Sequence, residues 1–474
     1  MKKNGEQYEF KQLIPYFLPF IANSDQNSAI ELLTNFIFND ESRSLFILKG
    51  YAGTGKTNLI SALTKALPSI RWRSVLLAPT GRAAKVLSNY SQRQAHTIHK
   101  KIFRKEFSND GIIRFSLSEN LHSQTLFIVD EASMIGTDKA DGKLFNSLLE
   151  NLFEYVYSGK NCKLILIGDT AQLPPVGSNE SPALNEDYLK SAFHLSIKSF
   201  ELKEVARQRL ESGILLNATN LRNIIIKNTF KFPKLICGPD ILALTGEELE
   251  DTLNNSLSKY GEDNVIIITR SNKRANLFNQ NFRNRIKLFE EDLNTGDKLM
   301  IVKNNYYWLH ENNGDAGFIA NGDMAEITRI LNREQVYGFN FCDCIIRLCD
   351  YPNMAEQQVK LITDSLYTDS PALNQEEQKK LYEAVLNDVQ NEPIKSIRMA
   401  YLKNSPYYNA LQVKFSYAIT CHKSQGGQWP IVFIDQGFLT EENIDYGFLR
   451  WLYTAITRAT EKVYLINFNS KFFN

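Results

Sequence analysis

Long apolar runs, paired cysteines and repeats are what this chain lacks. No stretch of 18 apolar residues occurs, and MKKNGEQYEF at the start leads into no signal-peptide core, so neither a membrane span nor export is expected. Six cysteines, at 162, 237, 342, 344, 349 and 421, include no C-x-x-C pair. That excludes a disulfide framework and the usual zinc spacings. In FCDCIIRLC, Cys342 and Cys344 alternate onto one face of what reads as a strand, and both are expected to be buried there. No internal repeat or low-complexity segment is present. These absences predict a cytoplasmic globular protein without a membrane partner.

Acid is missing locally as well. From Ser42 to Lys105 there is no Asp or Glu while Lys and Arg recur, whereas 354 to 393 is acid-rich, an asymmetry hidden by the net charge of +1. A basic segment of this kind makes a positive wall for a phosphate backbone, although part of its charge serves the phosphate loop inside it. With 43% hydrophobic and 23% charged residues the composition is that of an ordinary globular protein, and 474 residues leave room for more than one core.

What is there begins with GYAGTGKT at 50 to 57, which fits G-x-x-x-x-G-K-[ST]. SLFILKG before it reads as a buried parallel strand and TNLISALTKAL after it has helical periodicity. Strand, glycine loop and helix together form the context in which backbone amides turn inward around phosphate oxygens. Gly50, Gly53, Thr54 and Gly55 shape such a loop, Lys56 reaches the β- and γ-phosphates of ATP, and Thr57 ligates Mg2+. LFIVDE at 126 to 131 is an apolar strand ending in two carboxylates at the carboxyl edge of the sheet. Asp130 is the expected second magnesium ligand and Glu131 the group that activates water. A third strand, KLILIGD at 163 to 169, runs into TAQLPPVG, where Gln172 is the candidate γ-phosphate sensor and Pro174-Pro175 stiffens the loop.

In order, GYAGTGKT, LLAPTGRAAKVL, IVDEASMI, LIGDTAQLPPVG, ELKEVARQ, YAITCHKSQGGQW and LYTAITRA resemble the motifs of superfamily-one DNA helicases. HKSQG and QLPPVG are similar to the forms found in the 5′→3′ branch, that of the RecD-like and Dda-type enzymes. The resemblance covers roughly residues 20 to 465. It implies that Gln26 hydrogen-bonds adenine, that Arg207 reaches the γ-phosphate and that Arg458 is the arginine finger of a second motor domain. Gly426 is implied in the nucleotide site, and Thr80, Thr420 and His422 in DNA contact, with His99 a further candidate beside His96. The family's acid after the motif glycines, where ATP ribose is held, is replaced here by Gln428.

The resemblance also implies a fold. Two RecA-like α/β parallel-sheet motor domains are expected at 1–195 and at 196–294 with 407–474, the second beginning near SFELKEVARQ. Residues 295–406 would form an SH3-like β-barrel with a helical arm, the arm built from AEQQVKLITDSL and QEEQKKLYEAVLNDVQ with their acidic faces solvated. A small hairpin is expected at about 100–124, turning at Asn109-Asp110-Gly111. Phe103, Phe107 and Phe115 are its candidate strand-separating aromatics, with simple hairpin packing the other reading. The expected activity is that of an ATP-dependent helicase acting as a monomer on single-stranded and on forked or tailed duplex DNA. A protein-stripping translocase and an ATP-gated DNA-binding adaptor remain the other two readings.

Overall fold

The computed structural model of the chain describes residues 2–107, 113–137, 146–205, 212–227, 230–309, 318–351 and 354–473. Three strands open the chain's first sheet: β1 (Ser44–Gly50), β2 (Arg73–Ala78) and β3 (Ala95–Thr97). A hairpin follows, β4 (Phe103–Phe107) paired antiparallel with β5 (Ile113–Leu117). Then come β6 (Ser123–Val129), β7 (Lys160–Gly168) and β8 (Ser196–Leu202). The six-stranded sheet runs β3-β2-β6-β7-β1-β8 with every pair parallel. β1, β6 and β7 are nearly continuous apolar runs because helices cover both faces, and their carboxyl ends lie side by side. Those ends carry the phosphate loop, Asp130 and Asp169 into one place.

The second sheet is assembled from distant segments. β9 (Ile241–Leu244) and β10 (Val265–Thr269) come before a closed barrel of β11 (Lys298–Ile301), β12 (Met324–Val336), β13 (Phe339–Leu348), β14 (Gln357–Ile362) and β15 (Leu411–Phe415). β16 (Ala418–Thr420), β17 (Trp429–Asp435) and β18 (Ala459–Ile466) then return to the sheet, whose parallel order is β16-β10-β17-β18-β9. Cys342 and Cys344 are buried in β13, as their alternation predicts. No described helix is long and apolar enough to cross a membrane.

Three expectations need correction. β8, which overlaps the start of SFELKEV, pairs with β1 over its whole length and so belongs to the first sheet, because its residues extend the same parallel ladder. β15, in KFSYAIT, is barrel and only β16 is second-sheet, so the crossing between the two bodies falls at Ser416-Tyr417. Residues 357–362 of AEQQVKLITDSL form β14 rather than a helix, since Val359 and Leu361 alternate into the barrel core while the backbone pairs with β13. The arm therefore consists of the helices Gln375–Asn387 and Lys395–Asn404. Leu381, Val385 and Leu402 pack it onto Phe339 and Phe341 of the barrel, and Glu376 and Glu383 face solvent.

Candidate active site

The loop after β1 holds Gly53 at φ +80° and Gly55 at φ +85°, backbone regions that favour glycine. A side chain at Gly55 would also run 2.6 Å from Nε2 of Gln26. Lys56 opens the helix Lys56–Ala66, whose first turn has no side-chain cap and so presents its amides to an anion. Its Nζ donates to the carbonyls of Gly50 (2.6 Å) and Tyr51 (3.0 Å), poised on the loop that a phosphate would fill.

A cavity of about 600 Å³ opens beside this loop. Lys56, Thr57, Asp130, Glu131 and Gln172 line it from the first sheet, and Arg458, after the helix Tyr446–Ile456, lines it from the second. Glu131 stands in left-handed backbone at φ +52° and donates its N–H to Asp130 Oδ1 at 2.8 Å, strain of the kind that gathers at functional sites. Burial raises the Asp130 carboxyl above the usual carboxylate range, and the charge of Glu131 raises it further. Two crowded carboxylates with a threonine hydroxyl are an all-oxygen donor set, suited to a small hard cation such as Mg2+. Arg458 is 4% exposed, with its Nη1 3.8 Å from Glu131 Oε1 and its Nε donating to Thr454 O at 3.1 Å. Gln172 is buried with its Oε1 lacking a hydrogen-bond partner, an acceptor for a water placed there.

A second cavity of about 590 Å³ crosses the same two sheets and runs under the barrel. Thr80 and His99 line it from the first sheet, His422 and Lys423 from the second, and Lys303 and the Asn321-Gly322 turn from the barrel. Thr80 caps the helix Gly81–Ser91 by accepting the Ala83 N–H at 3.2 Å, which leaves its own hydroxyl proton to be donated. Arg82 stacks over Trp429 at 4.7 Å, joining the halves along this groove. Lys423 Nζ donates to Asn321 Oδ1 at 2.6 Å, and burial lowers its amine to about 8. No carboxylate lies among the described residues lining the groove.

Against this geometry, a family model described as "AAA domain" matches residues 22–224, and one described as "UvrD-like helicase C-terminal domain" matches 415–466. The ATP-dependent DNA helicase dda of Enterobacteria phage T4 is 30% identical over 272 residues, 55% of this chain and 57% of that protein. The ATP-dependent RecD2 DNA helicase of Deinococcus radiodurans is 30% identical over 37% of this chain and 21% of its own length. The RecBCD enzyme subunit RecD of Buchnera aphidicola is 22% identical over 92% of this chain and 70% of that subunit. By these matches the chain is similar to superfamily-one helicases of the RecD-like and Dda type. It spans little more than half of the phage relative.

Several expected residues sit elsewhere. Gln26 is 1% exposed and its amide is engaged by the protein: Nε2 donates to Thr54 O at 3.1 Å, and Oε1 accepts the Asn23 N–H at 3.1 Å. It braces the phosphate loop from behind and does not line the cavity. Thr54 is fully buried with its hydroxyl on Tyr51 O, and Gly50 contributes its carbonyl to Lys56; both shape the loop without lining the cavity. Gly426, at φ +74°, brings its backbone onto Ala83, where any side chain would collide, so it joins the two halves beside the cavity. Thr420 precedes the short helix Cys421–Ser424 and Phe103 packs with the first-sheet core, 5.7 Å from the His99 ring; neither lines the groove. Gln428 does line the nucleotide cavity, accepting the Tyr90 hydroxyl at 3.1 Å where the family's acid is absent. Arg207, the turn at Asn109-Asp110-Gly111 and the side chains of Phe107 and Phe115 lie outside the described residues.

Sequence reading missed the bonds that hold the halves together. Tyr453 donates to Asp169 Oδ2 at 2.6 Å and accepts the Ala52 N–H at 3.0 Å. Thr454 accepts the Leu173 N–H at 2.9 Å, and Gln425 Nε2 donates to Leu173 O at 2.7 Å. Polar residues inside the otherwise apolar LYTAI segment were the available signal: in a buried helix they require partners.

Proposed function

We propose that the chain is an ATP-dependent motor that moves 5′→3′ along single-stranded DNA and unwinds duplex ahead of it. The observation that carries this reading is the pairing of cavities at one junction: a phosphate-loop cavity and a groove with no carboxylate among its described lining residues are both walled by the same two sheets. In this reading Lys56 neutralises the β- and γ-phosphates, Thr57 and Asp130 hold Mg2+, and Glu131 with Gln172 orients the attacking water. Arg458 meets the γ-phosphate from the second sheet, so nucleotide binding draws the halves together and hydrolysis releases them. Thr80 and His99 on one half and His422 and Lys423 on the other then act as two grips on the strand.

Direction is carried by HKSQG at 422 to 426 and QLPPVG at 172 to 177, which resemble the 5′→3′ branch, rather than by the ATP chemistry, which both polarities share. The phage and Deinococcus relatives are by name ATP-dependent DNA helicases. Duplexes with only a 5′ tail, only a 3′ tail or no tail, compared under single-turnover conditions with ATP and Mg2+, test the proposal. Unwinding from the 5′ tail alone is expected. Efficient unwinding from the 3′ tail with the 5′ tail inert would overturn the polarity, and ATP turnover that ignores DNA would overturn the motor.

A further inference from the structure

Beyond the groove, the barrel and the arm enclose a third cavity, of about 240 Å³. It lies between the segment following β11 and the helices Gln375–Asn387 and Lys395–Asn404, and is rich in tyrosine: Tyr306, Tyr307, Tyr382 and Tyr408. Tyr408 is 39% exposed, with its ring 6.2 Å from that of Tyr382 at 65°. The pocket is braced rather than collapsed, since Trp308 Nε1 and Asn305 Nδ2 both donate to Asn409 O at 2.7 Å and Tyr307 donates to Asn404 O at 3.1 Å. Its charged lining residues are Lys303 and Lys403, and no carboxylate lies among the described ones.

The pocket is continuous with the groove. Lys303, Asn304 and Gln378 line both, and Lys303 Nζ donates to Gln378 Oε1 at 2.9 Å on the sill between them. The nucleotide cavity, by contrast, contains Asp130, Glu131 and Asp169. A path with no carboxylate among the described residues of two successive cavities, which then presents tyrosine rings, has the two elements of a single-strand site: charge that follows the backbone and aromatic faces that take bases.

We infer that the single strand leaving the groove continues over Lys303 and Gln378, and that one of its nucleobases stacks on Tyr408 in the pocket between barrel and arm. The inference rests on the groove being the strand site. Stacking on a π-face tolerates any base, so the subsite adds affinity without sequence preference, and the arm becomes part of the DNA footprint.

The test measures binding of the full chain, without nucleotide, to oligothymidylates of about eight and about sixteen nucleotides. Wild type should bind the longer one more tightly by roughly five- to a hundredfold, the worth of one stacked base. Tyr408→Ala should remove most of that gain, leave affinity for the shorter oligomer and for ATP unchanged, and be rescued by Tyr408→Phe. Lys403→Glu, a charge reversal in the pocket lining, should also reduce the gain, and more so at low salt. A gain that survives Tyr408→Ala and Lys403→Glu, or a wild type that binds the short oligomer but gains nothing with length, overturns the subsite and leaves the groove intact. Failure of wild type to bind either oligomer overturns the groove reading, and the subsite with it.

Discussion

The nucleotide cavity and the groove share their two walls yet differ in charge and in closure. In the first, Asp130, Glu131 and Asp169 face Lys56 and Arg458, and side-chain bonds such as Asp169 to Tyr453 cross from half to half. In the second, Arg82, Lys303, Lys423 and two histidines occur without a carboxylate among the described lining residues, under a barrel turn held by Asp323, which accepts the Ala320 N–H at 2.8 Å. A reacting phosphate and its metal need opposed charges at fixed distances, because catalysis depends on positioning and on charge stabilisation. A polymer that must slide needs one sign of charge spread along a path, with few contacts that single out a position. The junction therefore serves both tasks by segregating the carboxylates to one side.

The comparison breaks most severely at its ATP end. Lys56→Ala and Arg458→Ala should each reduce DNA-stimulated ATP turnover by about 10³ to 10⁵, since each removes a charge facing the γ-phosphate. Steady-state ATPase assays check this, and near wild-type turnover in either would remove the cavity as the hydrolysis site. Glu131→Gln should lose about 10² to 10⁴ in turnover while still binding ATP with Mg2+, because Asp130 and Thr57 remain. A titration showing lost nucleotide binding in that variant would mean the two carboxylates have been given each other's roles.

Smaller effects sharpen the contrast in closure and charge. Tyr453→Phe removes a hydrogen bond to a buried carboxylate and should cost about 1.5 to 3 kcal/mol in denaturant unfolding. Unchanged stability would show that this bond does not hold the halves together. At the groove, burial lowers the Lys423 amine to about 8, and a bound phosphate favours its charged form. Binding then takes up a proton above that pH, so affinity for single-stranded DNA should weaken by a few fold as pH rises through about 8. Lys423→Ala should flatten that dependence, and an identical slope in the variant would assign the titration to another group.

Much of the nucleotide cavity was legible in sequence because its groups follow strand ends. A buried apolar strand in a parallel sheet delivers the next residue to a known edge, which is why Lys56, Thr57, Asp130, Glu131 and Gln172 all line one cavity. Gln26 was legible as a residue but not as a contact: its amide could reach the loop only through the left-handed turn at Gly55. β14 was misread as helix because polar residues such as Gln357, Gln358 and Lys360 mask the alternation of Val359 and Leu361 in so short a segment. β8 was assigned to the wrong body because nothing local says which strand will extend a ladder.

By itself the sequence determined the phosphate loop, the paired carboxylates, the existence of two parallel sheets and the buried face of β13. Each follows from local chemistry: glycine where the backbone turns left-handed, apolar runs where strands are covered on both faces, alternation where one face is buried. Only the tertiary structure decided that Arg458 meets Glu131, that Tyr453 meets Asp169, and that barrel, arm and both sheets line a path free of carboxylates among its described residues. These residues are separated by up to several hundred positions, and their meeting depends on how complete bodies dock. Docking is set by the summed fit of surfaces, which no single motif encodes.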